Sequence, residues 1–376
     1  MGDDRLPGAR PTRTSFLLGE YTDAMARVLI IRSLLLTITA GGLGCASVAG
    51  RGPLAVPSEG PVVREVVRFQ SDGLAMVGTL TRPDRPGRHP GLVVVHAAGL
   101  EQRDHYREIA DSLAGRGIAV FAYDMRGVGE SQGNPILPTF QDLAGDARAA
   151  VRALRSRSDI DREAVGLWSL SRGGLVAPLV ATTDSIAFLI VTSSPGIPVA
   201  RLDSTAIVNR VRARGLSTAE AEEAGDLYGM GLDVARTGTG YDQLARAFEQ
   251  ARSRTWFPEL QIPGLPPAND PSWGRFARNV GYDPDSVWRR VRTPTLVIYG
   301  EDDDPVLVSE SRRRIVGALR GAGARSKAWI ASGADHLIRV RRAGAPEPVF
   351  ARGFFDVQAR WVFAHRPERR GAGVPE

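Results

Sequence analysis

Two runs rich in β-branched residues, Val62–Phe69 and Ala75–Thr81, flank the polar triplet Ser71-Asp72-Gly73 and predict a hairpin. After a loop of Pro, Arg and Gly (Arg82–Pro90), Leu92–Val95 offers no polar position to face water, which predicts a strand buried on both faces. The period then becomes helical over Arg103–Ala114, with Tyr106, Ile109, Ala110 and Leu113 on one stripe and a stop at Gly115. Ile118–Tyr123 predicts a second buried strand, and Asp142–Leu154 a helix along Ala147, Val151 and Leu154. The alternation continues with a strand at Ala164–Trp168, a helix at Gly173–Ala181 and a strand at Ala187–Thr192. It resumes with strands at Thr295–Tyr299 and Ala328–Ile330 and a helix at Phe350–Phe363. Strands alternating with helices of this length predict an α/β fold with a doubly wound, mostly parallel sheet, whose ligands bind beyond the carboxyl ends of the strands.

Residues 196–291 break the rhythm, with no buried strand, helical patches at Ser204–Arg214, Thr218–Tyr228 and Tyr241–Arg254, and a proline-rich break at Pro258–Pro271. They predict an inserted helical cap. Its aromatics (Tyr228, Tyr241, Phe248, Trp256, Phe257, Trp273, Phe276) either fill the cap's own core or line an acyl pocket. The core then falls into residues 61–195 and 292–376.

At the other end of the chain, Met25-Ala-Arg27 precedes an apolar stretch interrupted by Arg32 and then uncharged from Ser33 to Leu43. A basic start, a short apolar run and small residues describe an export signal, and the run is too short for a membrane span. Cys45, after Gly42-Leu43-Gly44, resembles the lipobox cysteine of bacterial lipoproteins, although Gly42 stands where leucine is usual. The resemblance implies lipidation at Cys45 and a membrane-anchored protein; a cut after Ser47-Val48-Ala49, giving a periplasmic or extracellular protein, competes. Residues 1–45 are read as the signal region and 46–60 as a tether. Met1 and Met25 both remain open as the start.

Composition narrows the class. The 376 residues are 43% hydrophobic and 24% charged, which excludes a largely disordered chain and a multi-span membrane protein. One cysteine excludes an internal disulfide framework and a cysteine-based zinc site. The net charge of +6 is arginine-borne, with Lys327 the sole lysine, and is spread over the chain without a basic stripe. It gives no sign of nucleic-acid binding.

The strongest chemical signal is Gly166-Leu-Trp-Ser169-Leu-Ser171-Arg172-Gly173-Gly174 between a predicted strand and a predicted helix. A serine on that sharp turn needs small residues two before and two after, and Ser169 and Gly173 supply them around Ser171. A hydroxyl needs a base to become a nucleophile. Of the five histidines, His89, His96, His105 and His365 are read as structural, whereas His336 lies in a loop between the last strand and the final helix. The base needs a carboxylate, and the strand at Thr295–Tyr299 runs into Glu301-Asp302-Asp303-Asp304, an ambiguous run of four. His96-Ala97-Ala98-Gly99 ends a strand with small residues that let a backbone N–H approach an oxyanion, with the Arg172 N–H as second donor.

Taken in order, these motifs resemble the α/β-hydrolase superfamily from about residue 62 to about 364. His96-Ala97-Ala98-Gly99 stands where that family has His-Gly-x-Gly, which points to Ala98 as the oxyanion amide. Asp124-Met-Arg126-Gly127-Val-Gly129-Glu-Ser131 matches its structural Asp-x-Arg-Gly-x-Gly-x-Ser turn. Gly300-Glu-Asp-Asp303-Asp-Pro-Val306 fits Gly-x-x-Asp-x-x-Val and selects Asp303 over Asp304. The resemblance extends to bacterial esterases and to dienelactone-hydrolase-like and serine-aminopeptidase-like members. It implies a Ser171–His336–Asp303 triad acting on a small-molecule carboxylic ester, without metal or organic cofactor. One alternative is a serine exopeptidase, for which Glu220, Glu222, Glu223 or Asp226 would hold a free amine; another is an inactive hydrolase-like binding protein. Acyl chain, alcohol and oligomeric state are left open.

Overall fold

The computed structural model describes residues 60–366 except 137, 263, 304, 305, 343 and 345. The export segment with Cys45, and Asp304, lie outside the described residues.

The hairpin forms as its turn chemistry directs. Asp72 and Gly73 take positive φ (51° and 76°), and β1 (Val62–Ser71) pairs antiparallel with β2 (Leu74–Pro83), Ser71 facing Leu74. The remaining main strands are β3 (His89–Val95), β4 (Ala119–Tyr123), β5 (Ile160–Leu170), β6 (Leu189–Thr192), β7 (Thr295–Gly300) and β8 (Ser326–Ala331). Their order is β1-β2-β4-β3-β5-β6-β7-β8, parallel throughout except where β2 meets β1 and β4. Parallel strands covered on both faces must be apolar throughout, and every residue of β3, β4, β6 and β7 is buried.

Side-chain alternation along these strands feeds two layers. Val93, Val95, Val297 and Tyr299 pack with α2 (Phe140–Arg155), α3 (Gly173–Ala181) and α9 (Val308–Gly321). Leu92, Val94, Leu296 and Ile298 point the other way, toward α1 (Arg107–Gly115) and α10 (Phe354–Ala364).

Between β6 and β7 lie α4 (Val199–Ala213), α5 (Thr218–Thr237), α6 (Tyr241–Ala251), α7 (Ser272–Val280) and the short α8 (Asp285–Trp288). This insertion is helical, with α4 starting five residues before the predicted Ser204 and α6 stopping three short of the predicted Arg254. A Ser217–Glu220 capping box starts α5, and Gly238 at φ 71° ends it nine residues beyond Tyr228. The aromatics pack on one another: Tyr228 on Phe276, Tyr241 and Phe276 on Trp273, and Phe248 on Phe257.

Two of the boundaries that differ from the sequence reading change the type of element. Arg103–Tyr106 is a 3₁₀ turn ahead of α1. The final helix starts at Phe354 behind Gly353 (φ 84°), because Val349–Phe350 (β10) pairs with Arg339–Val340 (β9).

The Asp124 turn is held from inside. Asp124 accepts the amides of Arg103 and Glu130, both at 2.9 Å, and Arg126 makes two 2.7 Å bonds to buried Asp146, which also accepts the Ser71 hydroxyl at 2.6 Å. These contacts tie the loop after β4 to α2 and β1.

Candidate active site

Ser171 sits between β5 and α3 with φ 52°, a left-handed backbone that costs a non-glycine residue about 1–3 kcal/mol. What forces it there is close packing on either side. A Cβ on Gly173 would lie 2.3 Å from the Val95 carbonyl oxygen, and one on Gly174 1.9 Å from Ser194 Oγ. Both glycines are needed for α3 to start this close to β3 and β6. The Ser171 N–H donates to the Thr192 carbonyl at 2.9 Å, fixing the turn to the end of β6.

The carboxyl end of β7 meets the loop after β8 just as closely. A Cβ on Gly300 would stand 2.2 Å from the carbonyl oxygens of both Ala334 and Asp335, and the Asp302 N–H donates to Ala334 at 2.9 Å. This contact brings Asp303 and His336 together: His336 Nδ1 lies 2.7 Å from Asp303 Oδ1, with the Asp303 side chain fully buried and His336 at 21% exposure. Because a carboxylate can only accept, this contact is made by a proton on Nδ1, and in the neutral ring that tautomer leaves the Nε2 lone pair open. The acidic run divides by partner. Glu301 accepts the Ser332 hydroxyl and the Gly333 N–H, which hold it below the usual carboxylate range, and among the described acids of the run Asp303 is the one that reaches His336.

One residue that the sequence reading missed joins the two halves. Ser193, at φ 51° after β6, donates its hydroxyl to the His336 carbonyl at 2.8 Å, one residue beyond the Thr192 carbonyl that binds the Ser171 amide. Ser171 and the His336–Asp303 pair therefore share the carboxyl edge of β5, β6 and β7.

Beside them is the loop after β3. Buried His96 sits 2.6 Å from the Tyr123 carbonyl through Nε2, and desolvation lowers its pKa, so it serves as a neutral structural donor. The Ala97 N–H donates to the Tyr106 hydroxyl at 3.0 Å, and the Arg172 guanidinium donates to the Ala97 carbonyl at 3.3 Å. Ala98 is exposed, and its N–H has no hydrogen-bond partner among the described residues. His89 and His365 are likewise shifted down by burial, and exposed His105 pairs with Glu101.

The acids considered as amine holders are otherwise engaged or exposed. Glu220 accepts the Thr255 and Ser217 hydroxyls, which hold it at about 2, and Glu223 binds Arg254 and Trp256. Glu222 and Asp226 are exposed. The acid that does turn inward is half-buried Asp203 on α4, raised by burial and bonded by the Tyr228 hydroxyl at 2.7 Å. Among the described residues no cluster of His, Cys, Asp and Glu is placed to hold a metal ion, and no helix is long and apolar enough to cross a membrane.

Comparison with known proteins agrees with this architecture. The profile of the family described as serine aminopeptidase, S33, matches residues 87–222, a span that includes Ala98, Ser171 and Arg172 but stops short of Asp303 and His336. An uncharacterised protein of Mycobacterium tuberculosis is 34% identical over 146 residues, 36% of this chain and 50% of that protein. Esterase EstD of Thermotoga maritima is 23% identical over 233 residues, 60% of this chain and 49% of its own. The chain thus spans about half the length of these curated relatives. Among solved structures, the α/β hydrolase GrgF from Penicillium sp. sh18 superposes with a TM-score of 0.53 at 21% identity, covering 81% of this chain and 99% of that one. The protein has the α/β-hydrolase fold, and over residues 87–222 it is similar to the family described as serine aminopeptidase, S33.

Proposed function

We propose that the protein is a serine hydrolase of small carboxylic esters working through an acyl-enzyme. The observation that carries the reading is the 2.7 Å His336–Asp303 bond on the same sheet edge as the strained Ser171 turn. In the first step Ser171 Oγ forms a bond to the acyl carbon while its proton passes to His336 Nε2, and Asp303 stabilises the resulting imidazolium. The developing oxyanion takes the N–H groups of Ala98 and Arg172. Collapse breaks the bond to the alkoxy oxygen, which leaves as the alcohol with the proton from His336. Water then repeats the sequence, His336 taking its proton, and the acid departs.

An ester is favoured over a peptide because Glu220 and Glu223 of the helical insertion are bound by their own neighbours and its inward-turned acid, Asp203, already accepts the Tyr228 hydroxyl. The family description of a serine aminopeptidase keeps exopeptidase action as the second reading. A screen of p-nitrophenyl esters of graded acyl length beside aminoacyl anilides separates them, with esters expected to turn over faster. Labelling with a fluorophosphonate tests the reading as a whole. Wild type should label and Ser171→Ala should not, with turnover lower by about 10³ or more; no labelling of the wild type, or equal labelling of the two, would favour a binding protein. Export and a lipid on Cys45 are part of the proposal. Cys45→Ser should release the protein from membranes, and unchanged membrane association would remove the anchor.

A further inference from the structure

Resting on the reading of Ser171 as nucleophile, we propose that the side chain of Arg172, as distinct from its backbone amide, is a positioning residue that sets the oxyanion donor of Ala98. The argument starts from the peptide between Ala97 and Ala98. A trans peptide is planar, so its C=O and N–H point in opposite directions, and whatever holds the oxygen aims the hydrogen. The described chain contains no cis peptide bond. The Ala97 oxygen is held by the Arg172 guanidinium at 3.3 Å, while the preceding peptide is held through the Ala97 N–H by the Tyr106 hydroxyl at 3.0 Å. Both polar groups of Ala97 are thus fixed by side chains, and the next donor along, the Ala98 N–H, is unpartnered among the described residues and exposed.

Two further features make the clamp specific to this chain. At position 97 the sequence has alanine, where glycine would let the turn sample more backbone states, so outside anchors define which way the peptide faces. Tyr106 is 3% exposed, and its burial keeps the phenol protonated, so its hydroxyl accepts from Ala97 while facing the Glu101 carboxylate. A cation on the carbonyl also polarises the amide, which makes the opposite N–H a better donor to a developing negative charge. Because the guanidinium belongs to the residue after Ser171, it ties the β3 loop to the β5 turn, so both oxyanion donors move with the nucleophile.

The test uses Arg172→Met and Arg172→Lys, which keep the backbone amide at 172. Arg172→Met should lower kcat on an activated p-nitrophenyl ester by about tenfold, less than the 10²–10³ of losing a donor outright. KM should change little, and the Ki of a trifluoromethyl ketone, whose alkoxide occupies the oxyanion position, should rise by the same factor. Arg172→Lys should recover part of the loss. If Arg172→Met does not fold, Tyr106→Phe removes the other anchor and should lower kcat and weaken the ketone by several-fold. With Ser171→Ala inactive, a kcat and Ki within twofold of wild type in both Arg172→Met and Tyr106→Phe would overturn the clamp alone. A Ser171→Ala protein as active as wild type would instead overturn the functional reading beneath it.

Discussion

Replacing Gly300 by alanine tests whether the contact between β7 and the His336 loop holds the proposed base in place. The added Cβ would stand 2.2 Å from two carbonyl oxygens, Ala334 and Asp335, where ordinary contact begins at 3.4 Å, so the loop must retreat by about 1.2 Å. His336 is the next residue, and its ring is fixed from the opposite side by buried Asp303, which sits three residues beyond Gly300. The displacement therefore falls on the one element whose position relative to Ser171 matters. A shift of about 1 Å in a reacting group costs on the order of 10²-fold in rate. Overpacking of this kind also costs about 1–3 kcal/mol in stability. The assay is kcat on a p-nitrophenyl ester together with urea unfolding, measured beside Gly317→Ala. Gly317 lies on α9 with nothing within 4 Å, so its alanine should gain about 0.5–1 kcal/mol and leave kcat unchanged. A folded Gly300→Ala protein with kcat within twofold of wild type would refute the reasoning.

Three other outcomes are expected. Asp303→Asn should lower kcat by about 10⁴ while Asp304→Asn does not; the reverse pattern in the same ester assay would move the triad acid. Asp146→Ala leaves the buried Arg126 guanidinium without its two 2.7 Å bonds and should cost about 3–5 kcal/mol in urea unfolding, with a loss under 1 kcal/mol counting against the pairing. Burial raises Asp203 above its unfolded value of 3.8, so its ionisation opposes folding as pH rises through the raised value. Asp203→Asn should therefore raise the melting temperature at pH 8, and the gain should shrink as pH falls below 3.8, where the carboxyl is neutral in the folded chain and increasingly so in the unfolded one. A gain equal at pH 8 and below pH 3.8 would mean the carboxylate is not disfavoured.

Much of this was readable from residues alone. The buried strands carried their signature because a parallel sheet covered on both faces allows no polar position, as in Leu92–Val95 and Ile118–Tyr123. The turn at Ser171 was readable because steric demand fixes residue size at positions 169 and 173. What escaped depended on contacts between distant segments. Ser193 looks like any loop serine, and only the approach of the β8 loop gives its hydroxyl the His336 carbonyl to bind. The sequence places Phe350 at the start of the final helix because an apolar residue fits either period, and the pairing of Val349–Phe350 with Arg339–Val340 makes it strand instead. Glu220 and Glu223 could not be set aside as amine holders until Ser217, Thr255 and Arg254 were found beside them. The run of four acids stayed ambiguous in sequence because a carboxylate's role is set by which way it faces, and Gly300 sets that for Asp303.

The strands that bracket the helical insertion are next-door neighbours, with Leu189 opposite Thr295. An excursion that leaves and returns through adjacent rungs of one ladder can grow or shrink without moving any other rung, since each doubling of its length costs only about 0.6 kcal/mol in closure. The sheet thus works as a fixed socket into which different helical inserts could be plugged. The length and shape of the insert can therefore diverge while the sheet edge that carries Ser171, Asp303 and His336 remains where it is.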